Sequence, residues 1–237
     1  MSSVHHRHRG SAMVEFVVVA IPLLLAGLCT FETGRWLLMR QAAGYALFEA
    51  ARAGTVSGAD PAAMARAFER ALAPALGVDA APDPDSLATA VRARMTRWAH
   101  RHGLHMARIE QLSPRPASFE DFSAGDGDKA GTRQLDYDYQ RLHHDGHYLA
   151  RYRHGVGPRS GQTVFQANTL VLRLTYLHAP YLPGLQQLVR QLGNTSERDG
   201  YVRQARAAGL LVIRREIALP MQSPAREHGK GSDLLAP

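Results

Sequence analysis

The sequence predicts an α+β protein with a long N-terminal membrane-anchoring helix, two amphipathic helices and a small antiparallel sheet. Three observations support this class. An apolar run at residues 11–31 contains a single charged residue, Glu15. Two helical patterns follow it, each with one apolar face. The alternation that is typical of strands appears only after Gly103.

The composition fits one folded domain with an appendage. The chain has 237 residues, of which 45% are hydrophobic, and its one cysteine lies in the apolar run. A core must therefore rest on packing and not on disulfides. The formal net charge of +7 is compatible with nucleic acid, anionic lipid or an acidic partner. We attribute this charge to a compositional bias towards arginine and expect no nucleic-acid partner.

The apolar run is long enough to cross a membrane. Residues 11–31 would extend about 30 Å as a helix, which is the thickness of one hydrocarbon core. Arg7 and Arg9 precede the run, and basic flanking residues favour the cytoplasmic side. We therefore expect a cytoplasmic N-terminus, membrane lipid as a partner of the run, and the rest of the chain across the membrane.

Three kinds of N-terminal segment fit this pattern. A cleaved secretory signal is disfavoured because the run is long and lacks a small-x-small site at its far end. A plain signal anchor leaves Glu15 unexplained, although a charge costs about 2.5–3.5 kcal/mol at the bilayer centre. A signal cut between Gly10 and Ser11 makes Glu15 the fifth mature residue. Its carboxylate can then pair with the new N-terminal amine of a neighbouring subunit.

The residues around this site resemble a known family. Gly10, four residues and then Glu15-Phe16 match the prepilin pattern, and the segment is similar to the start of the TadE-like pseudopilins of the tight-adherence (Tad, Flp pilus) secretion systems. The further segments that resemble this family, in the same order, are Pro22, "FETGR" at 31–35, "EAARAG" at 49–54, "FQANTLVLRLTYLHAPYLPGL" at 165–185 and "IALPMQSP" at 217–224. The resemblance is thin between residues 115 and 160.

The resemblance implies a pilin-like fold and a role without catalysis, cofactor or metal. A TadE-like minor pseudopilin is cut by a prepilin peptidase, here between Gly10 and Ser11, with Glu15 and Phe16 as recognition and assembly residues. It acts in the assembly of a Tad/Flp-type pilus for adherence. Its implied partners are other pseudopilins, the major pilin and the Tad inner-membrane platform.

The implied location is the inner membrane, with a single span, a cytoplasmic N-terminus and a periplasmic C-terminal unit. Incorporation into the extracellular pilus is left open. The alternative function is that of an uncleaved single-pass scaffold that recruits envelope partners. The two functions differ in whether the leader is removed.

Two helices are predicted beyond the membrane, after a first helix that continues to about Arg52. Asp60-Pro61 is a typical helix start, and an apolar stripe at four-residue spacing follows: Met64, Phe68 and Leu72. The second helix follows "APDPD" at 81–85 and ends at Gly103. Its apolar face comprises Leu87, Val91, Met95, Trp98 and His102. We expect Glu32 and Arg35 to form a solvated i,i+3 pair without a role.

Strands are predicted at 104–112, 169–177 and 210–219, where apolar residues alternate. One or two helical turns are expected around Leu185, Leu188, Val189 and Leu192. Residues 113–132 have the composition of a loop, and the stretch 133–160 has no clear period. The predicted divisions are a leader (1–10), a membrane-spanning helix (11–54), an extracytoplasmic α+β domain (55–220) and a disordered tail (221–237).

Candidate catalytic or metal-binding clusters are few. "HHDGH" at 143–147 offers three histidines and an aspartate, but no second group of ligands with fixed spacing accompanies it. We therefore interpret it as an exposed loop. An envelope hydrolase that uses a metal at His143 and His147 is the third functional hypothesis. The glycine-rich "GVGPRSG" at 155–161 lacks the strand and helix of a dinucleotide site.

Overall fold

A computed structural model describes residues 11–78, 83–124, 132–193, 198–228 and 233–235. It confirms the predicted α+β class, with a long N-terminal helix, several further helices and an antiparallel sheet. The predicted leader, with Gly10, lies outside the described residues.

The helices range from single turns to one very long element. In chain order they are α1 (Ser11–Val56), α2 (Pro61–Leu72), α3 (Pro84–His102), α4 (Pro116–Asp121), α5 (Gln140–His143), α6 (Leu149–Arg151), α7 (Val164–Ala167), α8 (Pro183–Leu192) and α9 (Gly200–Ala207). The strands are β1 (Ala107–Ser113), β2 (Thr169–His178) and β3 (Leu211–Pro220). Within the described residues these three strands form one antiparallel sheet with β2 in the centre.

The two halves of α1 have different surroundings. In the first half, which contains Pro22, the large apolar side chains are exposed, and Leu24 for example is 66% exposed. In the second half one face packs against α2, β2 and β3. The buried residues of that face are Ala43, Ala46, Leu47, Ala50 and Ala51. The second half of α1 is therefore a core element of the α+β unit that it forms with the later helices and the sheet. We call this unit the extramembrane unit, because it follows the part of α1 that is the candidate span.

Small side chains on α1 let its neighbours approach closely. At Gly54 a Cβ atom would lie 2.5 Å from Sδ of Met64 and 2.7 Å from Cδ2 of Leu170. Only glycine fits between these two side chains without displacing one of them. The predicted domain boundary between residues 54 and 55 falls next to this close contact, and the boundary itself stays a prediction.

Helices α2 and α3 begin and end where local signals predict. Asp60 and Asp83 are the N-caps, each accepting backbone N–H bonds on Oδ1, and Gly103 ends α3 in the left-handed conformation. The predicted stripe of α2 is fully buried: Met64, Phe68 and Leu72. On α3 Val91 is buried, and the other apolar residues of its predicted face are partly buried.

The central strand β2 confirms its predicted alternation. Its inward-facing residues are almost fully buried: Leu170, Leu172, Leu174 and Tyr176. β1 begins at Ala107, a little later than predicted, and pairs with residues 171–176 in the middle of β2. β3 pairs along the whole of β2, from Thr169 opposite Pro220 to His178 opposite Leu211. The His178 end of β2 and the start of β3 are thus at the same edge of the fold.

The segment after β3 differs from the predicted disordered tail. Met221 is 5% exposed and Ala225 is fully buried. The backbone N–H of Gln222 donates to the carbonyl of Thr55 at 3.0 Å, which fixes the segment to the end of α1. The tail prediction is therefore wrong for residues 221–228. Residues 229–232 and 236–237 lie outside the described residues.

Candidate membrane-boundary site

Within the described residues one helix, α1, is long and apolar enough to cross a membrane. None of its most apolar window is buried inside the protein. At about 1.5 Å per residue, residues 11–31 can cross one hydrocarbon core as a helix. By length and composition α1 is therefore a candidate membrane anchor.

The predicted assembly residues lie near the start of α1. Glu15 is one helical turn, about 6 Å, from Ser11. Both Glu15 and Phe16 are exposed, Phe16 by 71%. Since Gly10 lies outside the described residues, cleavage between Gly10 and Ser11 stays a prediction.

A second carboxylate of α1, Glu32, is buried at the far end of the apolar run. It is 2% exposed. Nη1 of Arg35 lies 3.2 Å from both of its oxygens, and the backbone N–H of Tyr181 donates to Oε2 at 3.2 Å. Nε2 of His178 lies 3.4 Å from Oε1. We call these four residues, Glu32, Arg35, His178 and Tyr181, the boundary cluster.

The boundary cluster also contains a stacking contact and a perturbed histidine. The Arg35 guanidinium lies 3.6 Å from the centre of the Tyr181 ring, a cation–π arrangement. Burial lowers the pKa of His178 below its usual value, an effect that the nearby Arg35 charge increases and the bond to Glu32 opposes. A neutral His178 at pH 7 donates from Nε2, because an ionised carboxylate can only accept.

The prediction that Glu32 and Arg35 form a solvated pair without a role is wrong, because Glu32 is buried and has partners from elsewhere in the fold. The buried carboxylate has three partners in this cluster. Arg35 lies on the next turn of α1, and His178 and Tyr181 come from the end of β2 and the loop after it. A separation of 146 residues between Glu32 and His178 leaves no local pattern that predicts their contact.

We expect Glu32→Ala to destabilise the extramembrane unit by about 3 kcal/mol, because it leaves the N–H groups of His178 and Tyr181 without their acceptor. Glu49→Ala is the matched control, since Glu49 forms the same i,i+3 pair with Arg52 at 3.2 Å near the surface of α1. The control should lose less than about 1 kcal/mol. Urea unfolding of the detergent-solubilised full chain measures both. Equal losses would contradict a structural role for the boundary cluster.

Several of the segments that the sequence analysis singles out meet around α1. The boundary cluster joins "FETGR" to "LHAPY". "EAARAG" ends at Gly54, against Leu170 of β2. "IALPMQSP" ends β3, and Oγ of its Ser223 donates to the carbonyl of Thr55 at 3.1 Å. These distant segments of the sequence therefore share one function in the fold, which is to fix the unit along the second half of α1.

The histidines of "HHDGH" lie in short helical turns and not in the predicted loop. Nδ1 of His143 lies 2.8 Å from a carboxylate oxygen of Asp136, which also accepts the Tyr148 hydroxyl at 2.8 Å. His144 contacts Asp145 instead. In the part of the chain that the structure describes, no group of three or more His, Cys, Asp or Glu residues is placed to hold a metal ion.

Residues 10–52 match the model of the TadE-like protein family. The resemblance of the N-terminal segment to the TadE-like family is thus confirmed. The TadE-like match includes Gly10, Glu15 and Glu32 and ends within α1. Searches among curated proteins and among solved structures found no match for this chain.

Proposed function

We propose that this protein is a minor pseudopilin that a prepilin peptidase cuts between Gly10 and Ser11 and that acts in the assembly of a Tad/Flp-type pilus. The TadE-like match supports a Tad-system, pilus-associated protein with a membrane helix. In this proposal the chain is non-catalytic. It sits in the inner membrane with its N-terminus in the cytoplasm and its α+β unit in the periplasm.

The observation that carries the proposal is an apolar stripe on α1. Every seventh residue along the helix is a large exposed side chain: Leu24, Phe31, Leu38 and Tyr45, which are 66%, 63%, 69% and 59% exposed. Residues seven apart return to nearly the same face of a helix, and such spacing is typical of helices that pack on one another.

This stripe continues past the candidate span. Leu24 and Phe31 can be covered by lipid, but Leu38 and Tyr45 follow Glu32 and lie beside the extramembrane unit. An exposed apolar stripe outside the membrane favours a protein partner. The helix of a neighbouring pilin subunit would cover both parts at once, as a filament with a helical core requires.

Glu15 fits the same arrangement. A carboxylate in the first turns of α1 is costly in lipid, and pairing with the N-terminal amine of a neighbour offsets that cost. The proposed partners are therefore the prepilin peptidase, other pseudopilins with the major pilin, and the Tad inner-membrane platform. An uncleaved scaffold would keep its leader and would carry no such amine at Ser11.

The test is the N-terminus of the mature protein. We expect Gly10→Val to accumulate at full length in the membrane, because the peptidase needs a slim and flexible residue at the bond it cuts. The wild type should yield Ser11 as its first residue in cells with the peptidase and the intact leader in cells without it. N-terminal sequencing and mass spectrometry of membrane extracts measure both.

Gly27→Val is the matched control, because Gly27 lies inside α1 and a Cβ there would meet nothing within 4 Å. That variant should be cut like the wild type. A mature Gly10→Val protein that begins at Ser11 would overturn the assigned cut site. An intact leader on wild-type protein in cells with the peptidase would favour the uncleaved scaffold.

A further inference from the structure

We infer that α8 lies in the outer interface of the membrane that α1 spans, with its leucine face in the lipid. The inference rests on the proposed membrane anchoring and adds a second contact between this chain and the bilayer. The inference is based on three observations. One face of α8 exposes leucines, the opposite face contacts α9 and the turn after it, and α8 is attached close to the point where the apolar run of α1 ends.

The apolar face of α8 is exposed at Leu188 and Leu192 and partly buried at Leu185 and Val189. Leu188 is 49% exposed and Leu192 is 68% exposed. At about 100° per residue these two side chains share an arc of about 100° with Leu185 and Val189. Tyr181, two residues before α8, is 71% exposed and extends the same end of the fold. Exposed leucines on one face of a short helix are typical of a surface that another apolar phase covers.

The polar side of α8 fixes its position against α9 and the turn that follows it. Nη2 of Arg190 lies 3.4 Å from the carbonyl of Ala208, and a Cβ atom at Gly209 would lie 2.9 Å from the carbonyl of Gln186. At Gly193 a Cβ atom would lie 2.7 Å from Cβ of Arg206. The leucine face therefore points to the side of the helix that these contacts leave open.

Both attachments of α8 are at the membrane end of the extramembrane unit. Its N-terminus follows Tyr181, whose backbone N–H is bonded to Glu32 directly after the apolar run. The turn at Gly209 comes just before Leu211, which pairs with His178, and His178 contacts Glu32 as well. At about 15 Å in length, α8 stays within reach of the point where α1 leaves the bilayer.

The residue types of α8 and its surroundings suit a lipid interface. The helix "PGLQQLVRQL" has leucines on one face, glutamines and Arg190 on the other, and no acidic residue. Interfacial helices combine an apolar face with polar or basic residues in this way. Tyr181 and Arg35 supply the aromatic and basic side chains that favour the headgroup level. We therefore assign phospholipid, and not a second protein chain, to the leucine face.

The experiment uses the full chain in phosphatidylethanolamine–phosphatidylglycerol vesicles, with an environment-sensitive fluorophore on one cysteine. In a Cys29→Ser background the probe is placed at Leu188→Cys, at Leu192→Cys or at Gln187→Cys, the last as the matched control on the exposed polar face. We expect blue-shifted emission and quenching by nitroxide-labelled lipid at the two leucine positions. The Gln187→Cys probe should instead be quenched by iodide in the water.

The native Cys29 separates failure of this inference from failure of the anchor, since it lies within the candidate span. Lipid quenching at Cys29 together with iodide quenching at both leucine positions would overturn the interfacial helix and leave the anchor standing. If neither lipid nor iodide quenches the probes at the leucine positions, the interfacial position of α8 is overturned, and a protein surface covers the leucine face instead. A Cys29 probe that lipid does not quench would overturn the anchor and this inference together.

Discussion

A fragment that starts at residue 55 is expected to fail to fold, whereas one that starts at residue 30 is expected to fold. The shorter fragment lacks the face of α1 that fills the core between α2 and the sheet: Ala43, Ala46, Leu47, Ala50 and Ala51. Its loss would expose Met64, Phe68 and Leu170, which are fully buried in the intact chain. Domains are stable by only about 5–15 kcal/mol, and burying one large apolar side chain contributes about 1.5–3 kcal/mol.

Circular dichroism and urea unfolding of both fragments in mild detergent measure this expectation. The longer fragment keeps Glu32 and should unfold in one cooperative transition. A cooperative transition of equal midpoint in the fragment from residue 55 would contradict the role of α1 in the core. In the full chain, Ala46→Glu should repeat the loss because Ala46 is fully buried. Tyr45→Glu is the control at a neighbouring position that is 59% exposed, and it should leave the fold intact.

The sequence predicts the elements whose signals are local. Asp60-Pro61 is a helix start that needs only its own neighbours, and the stripe from Met64 to Leu72 repeats within three turns. Likewise the burial of β2 alternates from Thr169 to Leu174, where one of its faces is buried, whereas the residues from Thr175 to His178 are buried on both faces. Helix α8 is expected from its leucine spacing alone. In α2 and in the first part of β2 the packing follows the period that the sequence displays, whereas the leucine face of α8 is exposed.

Features that depend on contacts between residues far apart in the sequence cannot be predicted from local sequence patterns. The core face of the second half of α1 follows helical spacing, but it consists mostly of alanines, and alanine is so common on every face of a helix that its spacing does not mark that face as buried. Glu32 and His178 meet only because β2 ends beside the membrane helix. The polar composition after Pro220 indicates disorder, yet backbone bonds to Thr55 order its first residues. Leucine spacing predicts α8 but does not tell which phase covers its face.

Glu15→Gln is expected to be inserted and cut like the wild type, yet to be absent from pili. The variant keeps the shape of the side chain and removes its charge, so it can no longer pair with the N-terminal amine of a neighbouring subunit. It should enter lipid slightly more easily, since an uncharged amide costs less there than a carboxylate. Because Glu15 lies four residues beyond the predicted bond, the peptidase should still accept the chain.

Three further variants test whether incorporation depends specifically on a contact between Glu15 and the N-terminal amine of a neighbouring subunit. Glu15→Asp keeps the charge and shortens its reach, so we expect intermediate incorporation. Glu49→Gln removes a carboxylate from the second half of the same helix, and it should enter pili normally. Glu15→Gln with Gly10→Val should stay at full length in the membrane, which separates the cleavage step from the assembly step.

Immunoblots of membrane and sheared-surface fractions, with cross-linking to neighbouring pilins, measure processing and incorporation separately. Normal incorporation of the Glu15→Gln variant would exclude the amine–carboxylate contact, and Glu15 would then be a charge that the membrane interface tolerates without a partner's amine.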